Sequence, residues 1–261
     1  MDLVDPANHI WLLRANLKLE QGAELDLHGS SIGGDVDQLR LKSDADGIVW
    51  VRAGWGTIDI KDTAITSWDE AANGPDIDPN APRAYIAARS YLDDDGVTAY
   101  ESRMDIDASD IGYLGYHLEE AYGLSWKALG VGPDVHSRLH VYGDVTNSRI
   151  HDNYFGAYTY GALGMHFLNN EVDHNAVYGL DPHDDSNFID IEGNLVHDNG
   201  DEGIISSKRC NYLIIRNNIS RDNNGNGILL HINSNDALVE GNQVLNNGDD
   251  GISLFDSHRN T

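Results

Sequence analysis

The sequence predicts an all-β chain wound as a parallel β-helix of about 24 residues per coil, and three observations carry that reading. Gly156, Gly179, Gly203, Gly227 and Gly251 recur 23, 24, 24 and 24 residues apart. Asn147, Asn170, Asn194, Asn218 and Asn242 keep the same spacing. Between the two columns stand short apolar runs such as Phe188-Ile189-Asp190-Ile191 and Gly203-Ile204-Ile205, bounded by Asn, Asp and Gly and too short for helices. A fixed period in this range marks a stacked solenoid. No leucine-rich spacing and no paired helices compete with it. The Asn column is expected to be structural, one side chain bonding the next at a shared turn position.

Taken in order, the chain of 261 residues reads as one domain over 1–261. Residues 1–30 are expected to form an N-terminal cap and first coil, led by the alternating run Ile10 to Leu19. Leu39-Arg40-Leu41-Lys42, Ile48-Val49-Trp50-Val51 and Ile58-Asp59-Ile60 are strand-like runs separated by turn signals such as Asp46-Gly47 and Lys61-Asp62. Residues 69–83 hold three of the six prolines and are expected to protrude as a loop. Residues 128–140 are expected to be a second insertion, because Gly123 and Gly156 stand 33 residues apart. The chain stops at Thr261 directly after a strand, which suggests that further coils or a partner cover the last one.

Alternate residues of a strand face opposite ways. Leu180, Ile204, Ile228 and Ile252, one past each Gly, are expected inside. At Gly plus two, Asp181, Ile205, Leu229 and Ser253 then face out. At Gly plus four the outward positions include Tyr160, His183 and His231. Lys127 joins them if Tyr122-Gly123-Leu124 begins an earlier copy of the strand. One exposed strip would then carry Lys127, Tyr160, His183 and His231, with Asp181 beside His183. Coils stack at roughly 4.8 Å, so such a strip suits a long linear ligand.

The net charge is −26, and only five of the 17 basic residues are lysines. That surface argues against nucleic acid and anionic membranes as partners. Salt adaptation is the first reading of the acidity. Calcium-binding carboxylates are the second, without a calcium-hand loop or a nonapeptide repeat to support them. No organic or redox cofactor is implied. His151, His174 and His197 recur in turn positions and are read as structural, and no metal site is assigned. No run is long enough to span a membrane. The single cysteine, Cys210, excludes an internal disulfide.

Tyr178-Gly179-Leu180-Asp181-Pro182-His183-Asp184 resembles the Y-G-x-D-P-H-[DE] signature of the mannuronan C-5 epimerases. The resemblance extends over most of the chain, including Leu12 to Leu17, Leu39 to Asp44, Thr66 to Asp69 and Gly112 to Tyr116. It is closest to the calcium-independent periplasmic branch. It implies a right-handed parallel β-helix, conversion of β-D-mannuronate to α-L-guluronate within alginate, and a secreted or periplasmic location. It also implies His183 as base and a carboxylate-binding Arg one coil on. Lys208 falls at that place, with Arg209 beside it. On a regular strand the two would face opposite ways, so one of them is expected to serve.

The residues support the same chemistry. Removing the weakly acidic C5 proton of a uronate needs a base on one face, a proton donor on the other and a partner for the carboxylate. His183 suits the base, since imidazole titrates near neutrality. Asp181 orients it or binds the sugar, and Tyr178 is the candidate donor. Lys127, Lys208 and Arg209 are the cationic candidates for the carboxylate. Asp184, His231 and Tyr160 are further substrate-binding candidates, with turn anchoring as the competing job of Asp184. A lone outward histidine is ordinarily surface decoration; the D-P-H context and the groove column argue otherwise. A β-eliminating polyuronate lyase shares the first step and stays open as an alternative. So does a non-catalytic polysaccharide-binding β-helix, which Lys208 in place of Arg favours. A hydrolase would need a second groove carboxylate beside Asp181.

Overall fold

A computed structural model describes residues 1–119, 121–130 and 134–261. The chain winds through three long sheets whose neighbouring strands come from successive coils. The first sheet stacks Leu17–Leu19, Trp50–Gly54, Tyr85–Leu92, Gly123–Leu129, Phe155–Tyr160, Leu180–His183, Ile204–Ser207, Ile228–His231 and Ile252–Phe255, all parallel. The second runs from Ile10–Leu13 to Gln243–Leu245 and the third from Ala23–His28 to Leu238–Glu240. This is the parallel β-helix that the Gly and Asn columns predict. At the start, Asp2–Asp5 folds back antiparallel on Ile10–Leu13. No helix among the described residues is long and apolar enough to cross a membrane.

The core follows from register. Val51, Ile86, Leu124, Ala157, Leu180, Ile204 and Ile228 succeed one another up the inner face of the first sheet, all buried. Each large aliphatic side chain so withdrawn contributes roughly 1.5–3 kcal/mol relative to exposure. The glycine column is a matter of space. A Cβ on Gly156 would stand 2.2 Å from the Gly179 carbonyl oxygen, and one on Gly179 would stand 2.5 Å from that of Gly203.

The Asn ladder forms with one correction. Asn170, Asn194, Asn218 and Asn242 bond in series, each Nδ2 donating to the next Oδ1 at 2.9–3.0 Å. Asn147 stands outside it, exposed, with its amide on Asp107. Its neighbour Ser148 continues the ladder by donating its backbone N–H to Asn170 Oδ1, because the coil there spans 22 residues between rungs where the others span 24. A second ladder, Asn175, Asn199, Asn223 and Asn247, runs in parallel.

The insertions shape one side of the first sheet. In the 69–83 loop Asp69 and Gly74 form an antiparallel bridge, and the buried Arg83 guanidinium donates to the carbonyls of Gly115 and Leu114. The strand Gly123–Leu129 runs past residue 128, so the second excursion begins later than the glycine spacing suggests. Residues 131–133 lie outside the described residues; a 3-10 turn, Val135–Ser137, follows.

Candidate functional site

The first sheet presents two outward columns to the same strip. One aligns Lys18, Arg52, Ala87, Ser125, Tyr158 and Asp181. The other aligns Arg89, Lys127, Tyr160, His183, Ser207, His231 and Phe255. The alternation that predicts Lys127, Tyr160, His183 and His231 on one strip therefore describes their actual register. Behind them, Tyr122, Phe155 and Tyr178 each immediately precede a column glycine. They stack into an aromatic wall, with ring centroids 4.6 and 5.0 Å apart.

Asp181 is the most unusual residue of the strip. It is 1% exposed, and neither carboxylate oxygen has a hydrogen-bond partner. Burial, reinforced by the charges of Glu202 and Asp184 and opposed by Lys208, pushes its pKa well above the ordinary carboxylate range. Burial thus favours the neutral acid form of the group. An unsatisfied buried carboxyl is costly, so its persistence points to function rather than to stability.

His183 is shifted the other way. Desolvation lowers its pKa, and the charges of Lys208 and Lys127 push in the same direction, against the opposing pull of Asp184. The ring is therefore neutral at physiological pH. Its Nδ1 lies 2.7 Å from Asp184 Oδ2, but the carboxylate sits off the N–H direction, so the contact is electrostatic and not a formed hydrogen bond. Asp184 nonetheless favours the proton on Nδ1, which leaves Nε2 with a free lone pair.

Tyr158 is the residue that the sequence reading passed over. It occupies the Gly plus two column directly before Asp181, the same count that selects Asp181. Its ring lies 5.4 Å from that of His183. Burial and the nearby Asp181 raise its phenol pKa strongly, so it stays protonated. Tyr178 is half-buried in the aromatic wall, its phenol pushed up to about 12 by burial and by Glu202 and Asp181. Glu202 was passed over as well. It stands one coil beyond Tyr178, and burial and Asp201 raise its pKa.

The cations divide. Lys208 and Arg209 both have left-handed backbone, φ 63° each, and so lie in the turn after Ile204–Ser207. The expectation that they alternate on a strand does not hold. Arg209 Nη2 is 2.6 Å from Asp184 and 2.9 Å from Asp185, which locks it into that turn. The charge of Lys208 instead acts on Asp181, His183 and His231. Lys127 is buried, with its Nζ 5.6 and 5.7 Å from the ring centroids of Tyr158 and Tyr160 and 3.8 Å from Glu119. His231 lies two coils beyond His183, its ring against Phe255 and its pKa lowered by burial and by Lys208. Tyr160 meets His136 of the second insertion edge-on.

Two groups of His and carboxylate side chains have ligand atoms close enough to share an ion: Asp26, His28 and Asp59, and Glu171, Asp173 and His197. Lys61 engages Asp59, and Arg149 holds Asp173 through both oxygens. Both groups are thus already paired internally.

A family profile described as periplasmic copper-binding protein (NosD) matches residues 136–261. The mannuronan C5-epimerase of Pseudomonas aeruginosa is 31% identical over 204 residues, which are 76% of this chain and 33% of that protein. Mannuronan C5-epimerase AlgG of Azotobacter vinelandii is 32% identical over 195 residues, 72% of this chain and 33% of that protein. The chain spans about a third of the length of these curated relatives. The crystal structure of the periplasmic alginate epimerase AlgG superposes with a TM-score of 0.83 at 26% identity, covering 98% of this chain and 57% of that one. By sequence and by fold, over the portion it spans, the chain belongs to the mannuronan C5-epimerase family.

Proposed function

We propose that this chain epimerises β-D-mannuronate to α-L-guluronate at C5 within alginate, in the periplasm. One observation carries the reading: His183 stands on the outward strip two residues from Asp181, a buried carboxyl with no hydrogen-bond partner, and burial favours the neutral form of both groups. The resemblance in sequence and fold supports the same reaction.

In the step proposed, Nε2 of His183 takes the C5 proton. The electron pair passes into the C6 carboxylate as an enolate, and no bond to oxygen breaks. Lys208, whose charge acts on both Asp181 and His183, would meet that carboxylate, with Lys127 on the approach. Asp181, as a neutral acid, gains in the bound sugar the hydrogen-bond partner it lacks, donating to the enolate oxygen as charge builds there. A phenol then returns a proton to the opposite face of C5. Tyr158 is better placed for that than Tyr178, since its ring adjoins His183 while Tyr178 is packed in the aromatic wall. Solvent restores both groups.

A lyase would use the same base and expel the C4 oxygen. A hydrolase needs one carboxylate kept ionised beside an acid. Asp181 and Glu202 are both pushed toward their neutral forms, so that reading loses its nucleophile or base.

The test is His183→Asn on polymannuronate. Guluronate formation is expected to fall by at least about 100-fold, the lower end of general-base catalysis, with the fold intact by circular dichroism. Unchanged turnover would remove His183 from the reaction. Unsaturated product from the native chain would make it a lyase.

A further inference from the structure

One turn column lies next to the active strip, between the first and third sheets. Gly164, Phe188, Tyr212, Asp236 and Arg259 succeed one another there, one per coil, all with left-handed backbone (φ 64°, 58°, 60°, 59° and 59°). Glycine and aspartate tolerate that conformation cheaply; a bulky aromatic does not. Yet two aromatics occupy it, and both are largely in solvent: Phe188 is 56% exposed and Tyr212 52%. Their rings stack almost parallel, with centroids 4.9 Å and planes 14° apart. Beyond Tyr212 the column closes with the bidentate Asp236–Arg259 pair.

The other face of the stack is open. The next position on that side is Gly164, where a Cβ would meet nothing within 4 Å. No side chain from that position covers the Phe188 face opposite Tyr212, and the coil spacing there is about 4.8 Å. That is roughly the thickness of one ring stacked on another. Two residues past the column, in register with each other, stand His166 and Asp190. His166 is exposed, with its Nδ1 2.7 Å from Asp144 Oδ1, and one buried oxygen of Asp190 has no hydrogen-bond partner.

We propose that Phe188, backed by Tyr212 and opened by Gly164, is a second carbohydrate site, which takes the C–H face of a hexopyranose ring outside the active strip. Nε2 of the exposed His166 would meet a hydroxyl group. Strained backbone that holds exposed aromatics in place is a cost with no return in burial. A flat aromatic face left uncovered on one side offsets it by stacking on sugar. Phe188 lies five residues past His183 along the chain, so one polymer can reach both places. That last feature rests on the epimerase reading; the stacking site itself does not.

The experiment is affinity electrophoresis of the full chain through gels containing polymannuronate or a neutral mannan. Variants are Phe188→Ala, Phe188→Leu and Phe188→Trp, each with its melting temperature. Leu preserves apolar bulk, so it spares a purely structural role but removes the flat face. Ala and Leu are expected to weaken retention about threefold to tenfold, and Trp to keep or tighten it, as loss and gain of an aromatic stacking contact imply. Turnover of a short oligomannuronate should stay as in the native chain. Loss on both polymers assigns the sugar face alone, and loss on polymannuronate alone adds recognition of charge. Retention unchanged in Ala and Leu on both polymers overturns the proposal. Weakened retention in a chain with no epimerase activity would keep this site and sink the catalytic reading.

Discussion

At the scale of single residues, Asp181 sets the strongest test. A carboxyl whose folded pKa is raised binds its proton more tightly in the folded than in the unfolded state. Folding stability is then lost as pH rises from the unfolded value, near 3.9, toward the folded one. Asp181→Asn removes that dependence while keeping shape and a neutral polar group. The variant is expected to melt higher than the native chain at neutral pH, with the gain shrinking toward pH 4, and to lose at least about 100-fold in turnover. Thermal scans across pH with parallel assays check both. Equal melting at all pH values would mean that Asp181 is ionised and satisfied. The sequence already marked Asp181 and His183 through the D-P-H context. It did not mark Tyr158, although the same count from Gly156 reaches it. A tyrosine on a sheet face has a structural reading until its neighbours are known. The lowered pKa of His183 was equally out of reach, because it comes first from desolvation, which the packing of neighbouring coils sets.

At the scale of elements, the ladders decide where a substitution hurts. Asn194 Nδ2 donates to Phe167 O and Asn218 Oδ1, and its Oδ1 accepts from the backbone and side chain of Asn170. Asn194→Ala removes the acceptor of the Asn170 N–H and the side-chain donor to Phe167 O, at about 1–3 kcal/mol each, while Asn170 Nδ2 and Asn218 Oδ1 keep a second partner. A total of about 2–4 kcal/mol is expected, which lowers Tm by roughly 4–16 °C in a chain of this size. Asn147→Ala sits in the same sequence column but outside the ladder, and should change Tm by little more than a degree. A large effect at Asn147, or none at Asn194, would contradict the assignment. The period alone located most rungs. It failed at Asn147 because one short coil shifts the register by a residue, and Ser148 takes the rung. It also missed the second ladder, whose members lie five residues after the first. Lys208 and Arg209 were misplaced for a related reason: the first-sheet strands there are four residues long, so a count carried past Ser207 enters a turn.

At the scale of the molecule, a chain of net charge −26 is read as acting on a polyanion. The charge distribution makes that reasonable. Lys18, Arg52, Arg89 and Lys127 face the strip on successive coils leading to His183, and Lys208 stands just beyond it. Local charge close to the ligand outweighs distant surface charge, which salt screens beyond about 10 Å. The architecture was legible from two columns of glycine and asparagine. The alignment of Lys127, Tyr160, His183 and His231 on one strip was legible from the period, whereas side-chain contacts between coils, such as Tyr158 against His183, were not. The central claim is that a proton leaves C5 and a proton returns to the other face. Proton NMR of polymannuronate incubated with the chain in D₂O tests it directly. The account expects guluronate signals with deuterium at C5 and no unsaturated product. Guluronate that keeps hydrogen at C5, or an unsaturated uronate, would contradict it.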